Sequence, residues 1–158
     1  MNPTEPLWKS YIVETLGPIF TPKQCQMVID KGMSLKKETA AVGMGNPKGS
    51  GVDTKKRITT ISWIPFKVMP EMYRDIETTM LKANGNHFGF DGMRLTEPGQ
   101  FTHYLEGGEL EFMSDGKTAK LKQGQAIFFA SWLQHRVKPV TKGERKSLVM
   151  WFGGPSFK

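Results

Sequence analysis

GQAIFFASWLQHRVKPVTKGERKSLVMW, residues 124–151, sets two apolar runs around a polar turn, with His135 ten positions ahead of Arg145. The runs at 126–129 and 148–152 are short, rich in aromatic and branched side chains, and preceded by Gly124 and Gly143. That is how buried strands joined by glycine turns read. His135 falls where the first strand is about to end, and Arg145 falls just after the Lys142-Gly143 turn. An imidazole there can ligate a metal, and a guanidinium can hold a carboxylate through two parallel hydrogen bonds. Taken singly, each is more often an ordinary satisfied or solvated side chain.

Moving toward the N-terminus, the same texture reaches back to Gln100. A third apolar run at 109–113 is punctuated by Gly107-Gly108 and Asp115-Gly116. Short strands at regular spacing with glycine turns indicate a sandwich, jelly roll or barrel. Before Gln100 the period changes. Thr21-Pro22-Lys23-Gln24 carries an N-cap threonine, proline at the first helical position and a capping-box glutamine. Cys25, Val28 and Ile29 follow at helical spacing, and Gly32 is expected to end that helix. Met72, Tyr73, Ile76 and Met80 predict a second helix from Pro70, with Asn84-Gly85 as its stop signal. Between the helices, residues 43–56 form a Gly/Lys-rich surface loop, a candidate lid. They lack the GxxxxGK[ST] pattern of a phosphate-binding loop. RITTISWIP, residues 57–65, alternates well enough to be a strand. The expectation is one α+β domain over 1–158, with a helical and loop support region at 1–99 and a β core at 100–158.

The 158 residues, 38% hydrophobic and 23% charged, suit one globular domain. No apolar run approaches the roughly 18 to 20 residues that span a bilayer. The N-terminal stretch lacks a basic region ahead of an apolar core, so no signal peptide is read there. A single cysteine, Cys25, excludes an internal disulfide framework, and the cytoplasm is the expected location. The net charge of +7 attracts polyanions, and the cations cluster at 55–57, 117–122 and 136–146. A solvated face explains those clusters as readily as a nucleic-acid groove.

As a set, these motifs resemble the C-terminal half of an iron(II)/2-oxoglutarate-dependent oxygenase of the prolyl-4-hydroxylase-like group. GGELEF at 107–112, GQAIFFAS at 124–131, His135-Arg136-Val137, and Pro139 through Trp151 carry the resemblance. QFTHY at 100–104 is similar to the strand that opens the family's catalytic core. The resemblance implies a double-stranded β-helix (jelly roll) with the N-terminal helices packed on one sheet. It implies Fe(II) and 2-oxoglutarate as cofactors, with His135 as a metal ligand. Arg145 would hold the cosubstrate's distal carboxylate, helped by Ser147 and Tyr104. The implied chemistry is hydroxylation of an unknown prime substrate, a peptide or a small molecule.

The chain departs from the family where the metal site is built. Tyr104 runs almost directly into Leu105-Glu106-Gly107, whereas the family places an H-x-D or H-x-E pair and further strands in between. About two or three strands are therefore expected to be missing, judged by ordinary strand and loop lengths. His103 is followed two positions on by Leu105, and His87 by Gly89, so neither supplies the pair. His103 and Glu106 are three apart, which places them on opposite faces of an extended strand. Three readings follow. One is an oxygenase with unusual ligands, supplied by His103, Glu106 or a partner subunit. Another is a non-catalytic β-helix module that keeps a carboxylate pocket. The third is a basic nucleic-acid-associated domain. A shortened β-helix would also leave open sheet edges, an invitation to self-association.

Overall fold

Thr21 opens the first helix as its sequence dictates. Its hydroxyl accepts the backbone N–H of Gln24, while the Gln24 side chain accepts the backbone N–H of Thr21, closing a capping box. The computed structural model describes residues 11–39, 59–104, 108–114, 116–138 and 143–155. The loop at 43–56, the first residues of the 57–65 run, Glu106, Gly107 and the 139–142 segment lie outside the described residues.

The elements in chain order begin with β1 (Ile12–Glu14), α1 (Pro22–Ser34), β2 (Glu38–Thr39) and β3 (Thr59–Ile64). Then come α2 (Pro70–Ala83), β4 (Arg94–Leu95), β5 (Gly99–Tyr104) and β6 (Leu110–Phe112). The chain finishes with β7 (Ile127–Phe129), β8 (His135–Val137), β9 (Arg145–Val149) and β10 (Phe152–Gly153). The fold is α+β, as expected. One antiparallel sheet has the order β2-β3-β5-β9, and three two-stranded pairs, β1-β7, β6-β8 and β10-β4, accompany it. No closed jelly roll is formed by the described strands. Strands from both sides of Gln100 pair with each other, since β3 flanks β5 and β1 flanks β7.

Both helices cover one face of the four-stranded sheet. Phe101 and Ile64 point into that layer with Val28, Met72, Tyr73 and Ile76, forming the main core. The Ser62 hydroxyl donates to the Gly32 carbonyl at 2.7 Å, tying α1 to β3. The Tyr73 hydroxyl donates to the Ile64 carbonyl and accepts the Gly99 N–H at 2.8 Å, tying α2 to β3 and β5. Such links satisfy polar groups that burial would otherwise leave costly. The far end of α2 carries Met80 and Ala83 onto Val13, Phe128 and Phe152. One helix thus backs both the large sheet and the β1-β7 pair.

Two boundaries differ from the sequence reading, and a third holds with an added turn. Gly32 does not end α1, which continues to Ser34. A Cβ on Gly32 would lie 2.3 Å from the Phe101 ring, so the glycine is there to admit that ring. Asn84-Gly85 does stop the second α-helix, which ends at Ala83 with Asn84 as its C-cap. The chain winds on through a π turn, Asn84–Phe88, and ends at Gly89 with φ of 70°. The Asn84 side chain holds that end by bonding both the carbonyl and the N–H of Phe90. Finally, the run at 148–152 is two strands. At Trp151 the chain leaves β5 and joins β4, its carbonyl accepting the Thr96 N–H and hydroxyl at 3.1 and 3.0 Å.

Candidate functional site

The register of β5 against β9 determines what meets on the face of the large sheet away from the helices. Tyr104 lies opposite Arg145, Thr102 opposite Ser147 and Gln100 opposite Val149. Across β3 the same rows continue with Thr59, Ile61 and Trp63. Alternation sends these residues to one side and Phe101, His103, Lys146 and Leu148 to the other. The site side is thus a polar and aromatic surface, with Thr59 and Thr102 buried and Tyr104, Arg145 and Ser147 half-buried.

Arg145 dominates it electrostatically. Its Cζ stands 5.3 Å from the centre of the Tyr104 ring, a cation–π contact. Its Nη1 donates to the Ser147 hydroxyl at 3.4 Å, too long to be strong. Among the described residues no carboxylate pairs with it, and one of its five N–H donors has a partner, the Ser147 hydroxyl. The structure therefore brings together three sequence-expected residues, Arg145, Ser147 and Tyr104. Thr102, opposite Ser147 on the same face, lies with them and is not among the residues the family motif marks. Its signal was the two-residue alternation with Tyr104 along β5.

His135 occupies a different environment. On β8 it faces Phe112 of β6, and its ring packs edge-on against Phe129 with centroids 4.8 Å apart. Its Nδ1 lies 2.7 Å from the Leu133 carbonyl oxygen. A carbonyl only accepts, so Nδ1 carries hydrogen, which leaves Nε2 as the nitrogen that could serve as a ligand. That is the tautomer and orientation of a metal ligand. The ring is exposed, and among the described residues its partners are Leu133, Phe112 and Phe129, none of which contacts Arg145. A cleft of about 600 Å³, lined by Ile12, Phe112, Thr118, Ala119 and Leu133 among others, adjoins the histidine's neighbours rather than the arginine's.

An iron(II) oxygenase site needs about three nitrogen or oxygen ligands converging on one point. No group of three or more His, Cys, Asp or Glu residues able to hold a metal occurs among the described residues. His103 faces the helix side, with its Nε2 2.7 Å from Glu144 Oε2, while Glu144 Oε1 accepts from Lys146 Nζ. Glu106 lies outside the described residues. Among the described residues, the side chains do not fit a resident iron.

In the 136–146 cluster, the described cations Arg136, Lys138 and Lys146 close on acids. Glu111 accepts from Arg136 Nε at 2.6 Å and Lys138 Nζ at 2.8 Å. These cations hold the Glu111 carboxyl below its usual value, the Lys138 hydrogen bond contributing most and Arg136 next. Lys146 and His103 do the same for Glu144, in that order. No described helix is long and apolar enough to cross a membrane.

Residues 85–153 match the family model of the 2OG-Fe(II) oxygenase superfamily. That family implies a jelly-roll fold with Fe(II) and 2-oxoglutarate as cofactor and cosubstrate. Comparisons with curated proteins and with solved structures found no match.

Proposed function

We propose that this chain is an oxygenase-type β domain that binds 2-oxoglutarate, or a closely related small dicarboxylate, through Arg145 without a resident iron. The carrying observation is a half-buried guanidinium with no acidic partner among the described residues, flanked by the Tyr104 ring and the Ser147 hydroxyl. A carboxylate meeting that fork gains two charge-assisted hydrogen bonds in a place already partly shielded from water. Ser147 and Tyr104 would orient it, and the match over 85–153 names 2-oxoglutarate as the carboxylate to try first. Calorimetric titration tests the reading. Arg145→Ala is expected to weaken 2-oxoglutarate by about 1.5 to 3 kcal/mol, the range for hydrogen bonds to charged groups. Unchanged affinity in that variant would remove Arg145 from the site.

A second reading, catalytic hydroxylation, is favoured by one observation, the ligand-ready Nε2 of His135. It requires further ligands from outside the described residues or from a partner chain. Iron retained after anaerobic loading and desalting, with succinate released from 2-oxoglutarate, would establish it. Protein that binds 2-oxoglutarate but keeps no iron returns the first reading. The prime substrate belongs to the catalytic reading alone.

A further inference from the structure

Arg145 is the first residue of β9, and β9 has one strand neighbour, β5, among the described residues. The end of an edge strand is where a sheet frays most readily. A guanidinium placed there needs a restraint beyond the ladder if it is to hold a fixed geometry. The residue just before it supplies one. The Glu144 carboxylate reaches back across the strands, one oxygen 2.7 Å from His103 Nε2 and the other accepting from Lys146 Nζ. His103 lies directly opposite Lys146, and Tyr104 directly opposite Arg145. The Glu144 link therefore crosses on the helix side of the sheet, one residue from the point where Arg145 and Tyr104 meet on the site side.

The two ends of this link differ in a useful way. The His103 side chain is 11% exposed and packed, whereas that of Glu144 is 53% exposed. The histidine is the fixed post, and the glutamate is the tether that brings the start of β9 to it. Neither touches the Tyr104 ring or the Ser147 hydroxyl that contact Arg145, so their influence on the site runs through backbone placement.

We infer that Glu144 is a positioning residue that pins the start of β9 to His103 and so sets the place of the Arg145 guanidinium. The inference rests on the carboxylate-binding reading above. The full chain is titrated with 2-oxoglutarate, and amide hydrogen exchange is followed at Tyr104, Arg145 and Lys146. Glu144→Ala is compared with Glu144→Gln and with Glu111→Ala, which breaks the link from β6 to Arg136 and Lys138. Exposed links of this type carry modest energies, so Glu144→Ala is expected to weaken 2-oxoglutarate about two- to fivefold. Exchange should quicken at the start of β9 and not in β3. Glu144→Gln, which keeps an acceptor for His103, should recover part of both effects, and Glu111→Ala should change neither.

Wild-type affinity in Glu144→Ala, or faster exchange spread evenly over β3, β5 and β9, would overturn the pin. Should Glu144→Ala fail to fold, Glu144→Gln decides the matter by the same two measurements. If the unaltered protein gives no heat with 2-oxoglutarate, the carboxylate reading falls. The exchange pattern would then still show whether Glu144 secures the strand end.

Discussion

Glu111 shows how a single side chain at the surface can carry a pH dependence. Lys138 and Arg136 both contact its carboxylate, and their hydrogen bonds, Lys138's first, hold its folded-state pKa below the usual carboxylate value. A depressed acid contributes stability that is present above its unfolded value and lost as pH falls through the folded one. Glu144 is depressed in the same direction by Lys146 and His103, so the two losses overlap. Thermal melts between about pH 6 and 3 are expected to show a falling midpoint below about pH 4.5. Glu111→Gln should flatten part of that slope, because the amide no longer loses a charge on acidification. An identical acid slope in the variant would mean that the Glu111 cluster contributes nothing to stability. His135 and His103 illustrate a different lesson at this scale. Both were visible as candidates, but their partners were not. The Leu133 carbonyl that sets the His135 tautomer and the Glu144 carboxylate 41 residues from His103 depend on folding, and no local spacing announces them.

Among the elements, α1 was the most legible, because its start is written locally in Thr21, Pro22 and Gln24. Its end was misjudged for a non-local reason. Gly32 resembles a helix stop, yet it serves the Phe101 ring on β5, almost seventy positions along the chain. Two opposing magnitudes bear on a substitution there. Alanine improves on glycine in a helix interior by about 1 kcal/mol. Overpacking a tight contact costs about 1 to 3 kcal/mol. With the new methyl 2.3 Å from a ring held in the main core, the clash is expected to prevail. Gly32→Ala should therefore lower stability in urea unfolding, and a gain would show that Phe101 can swing aside without cost. The short strands β1 and β2 were not legible at all. Three or two residues carry no period, and β1 finds its partner β7 more than a hundred positions away. The proposed carboxylate site was half legible. Arg145, Ser147 and Tyr104 came from the family's motif, whereas Thr102 and the pairing that gathers them required the β5-β9 register.

At the scale of the whole molecule, the described strands end in edges. β9 has one neighbour, and β1-β7, β6-β8 and β10-β4 are isolated pairs. An edge offers unpaired N–H and C=O groups to any second strand, and proteins ordinarily block it with charge, proline or a covering segment. Arg145 and Lys146 protect the start of β9, while at its end Val149 and nearby Trp151 are 37% and 38% exposed. Opposing this is the net charge of +7, which keeps copies apart at low ionic strength. The two effects respond oppositely to salt. Screening shortens the reach of repulsion to about 8 Å at 0.15 M, while strand pairing and apolar contact are little weakened. Self-association is therefore expected to grow with salt in sedimentation velocity runs. Val149→Lys, which extends the protecting charge to the exposed end of β9, should suppress it. Association that instead dissolves as salt rises would be electrostatic in origin, the behaviour of a basic domain bridged by a polyanion, and would place the sticky surface on the lysine clusters rather than on β9.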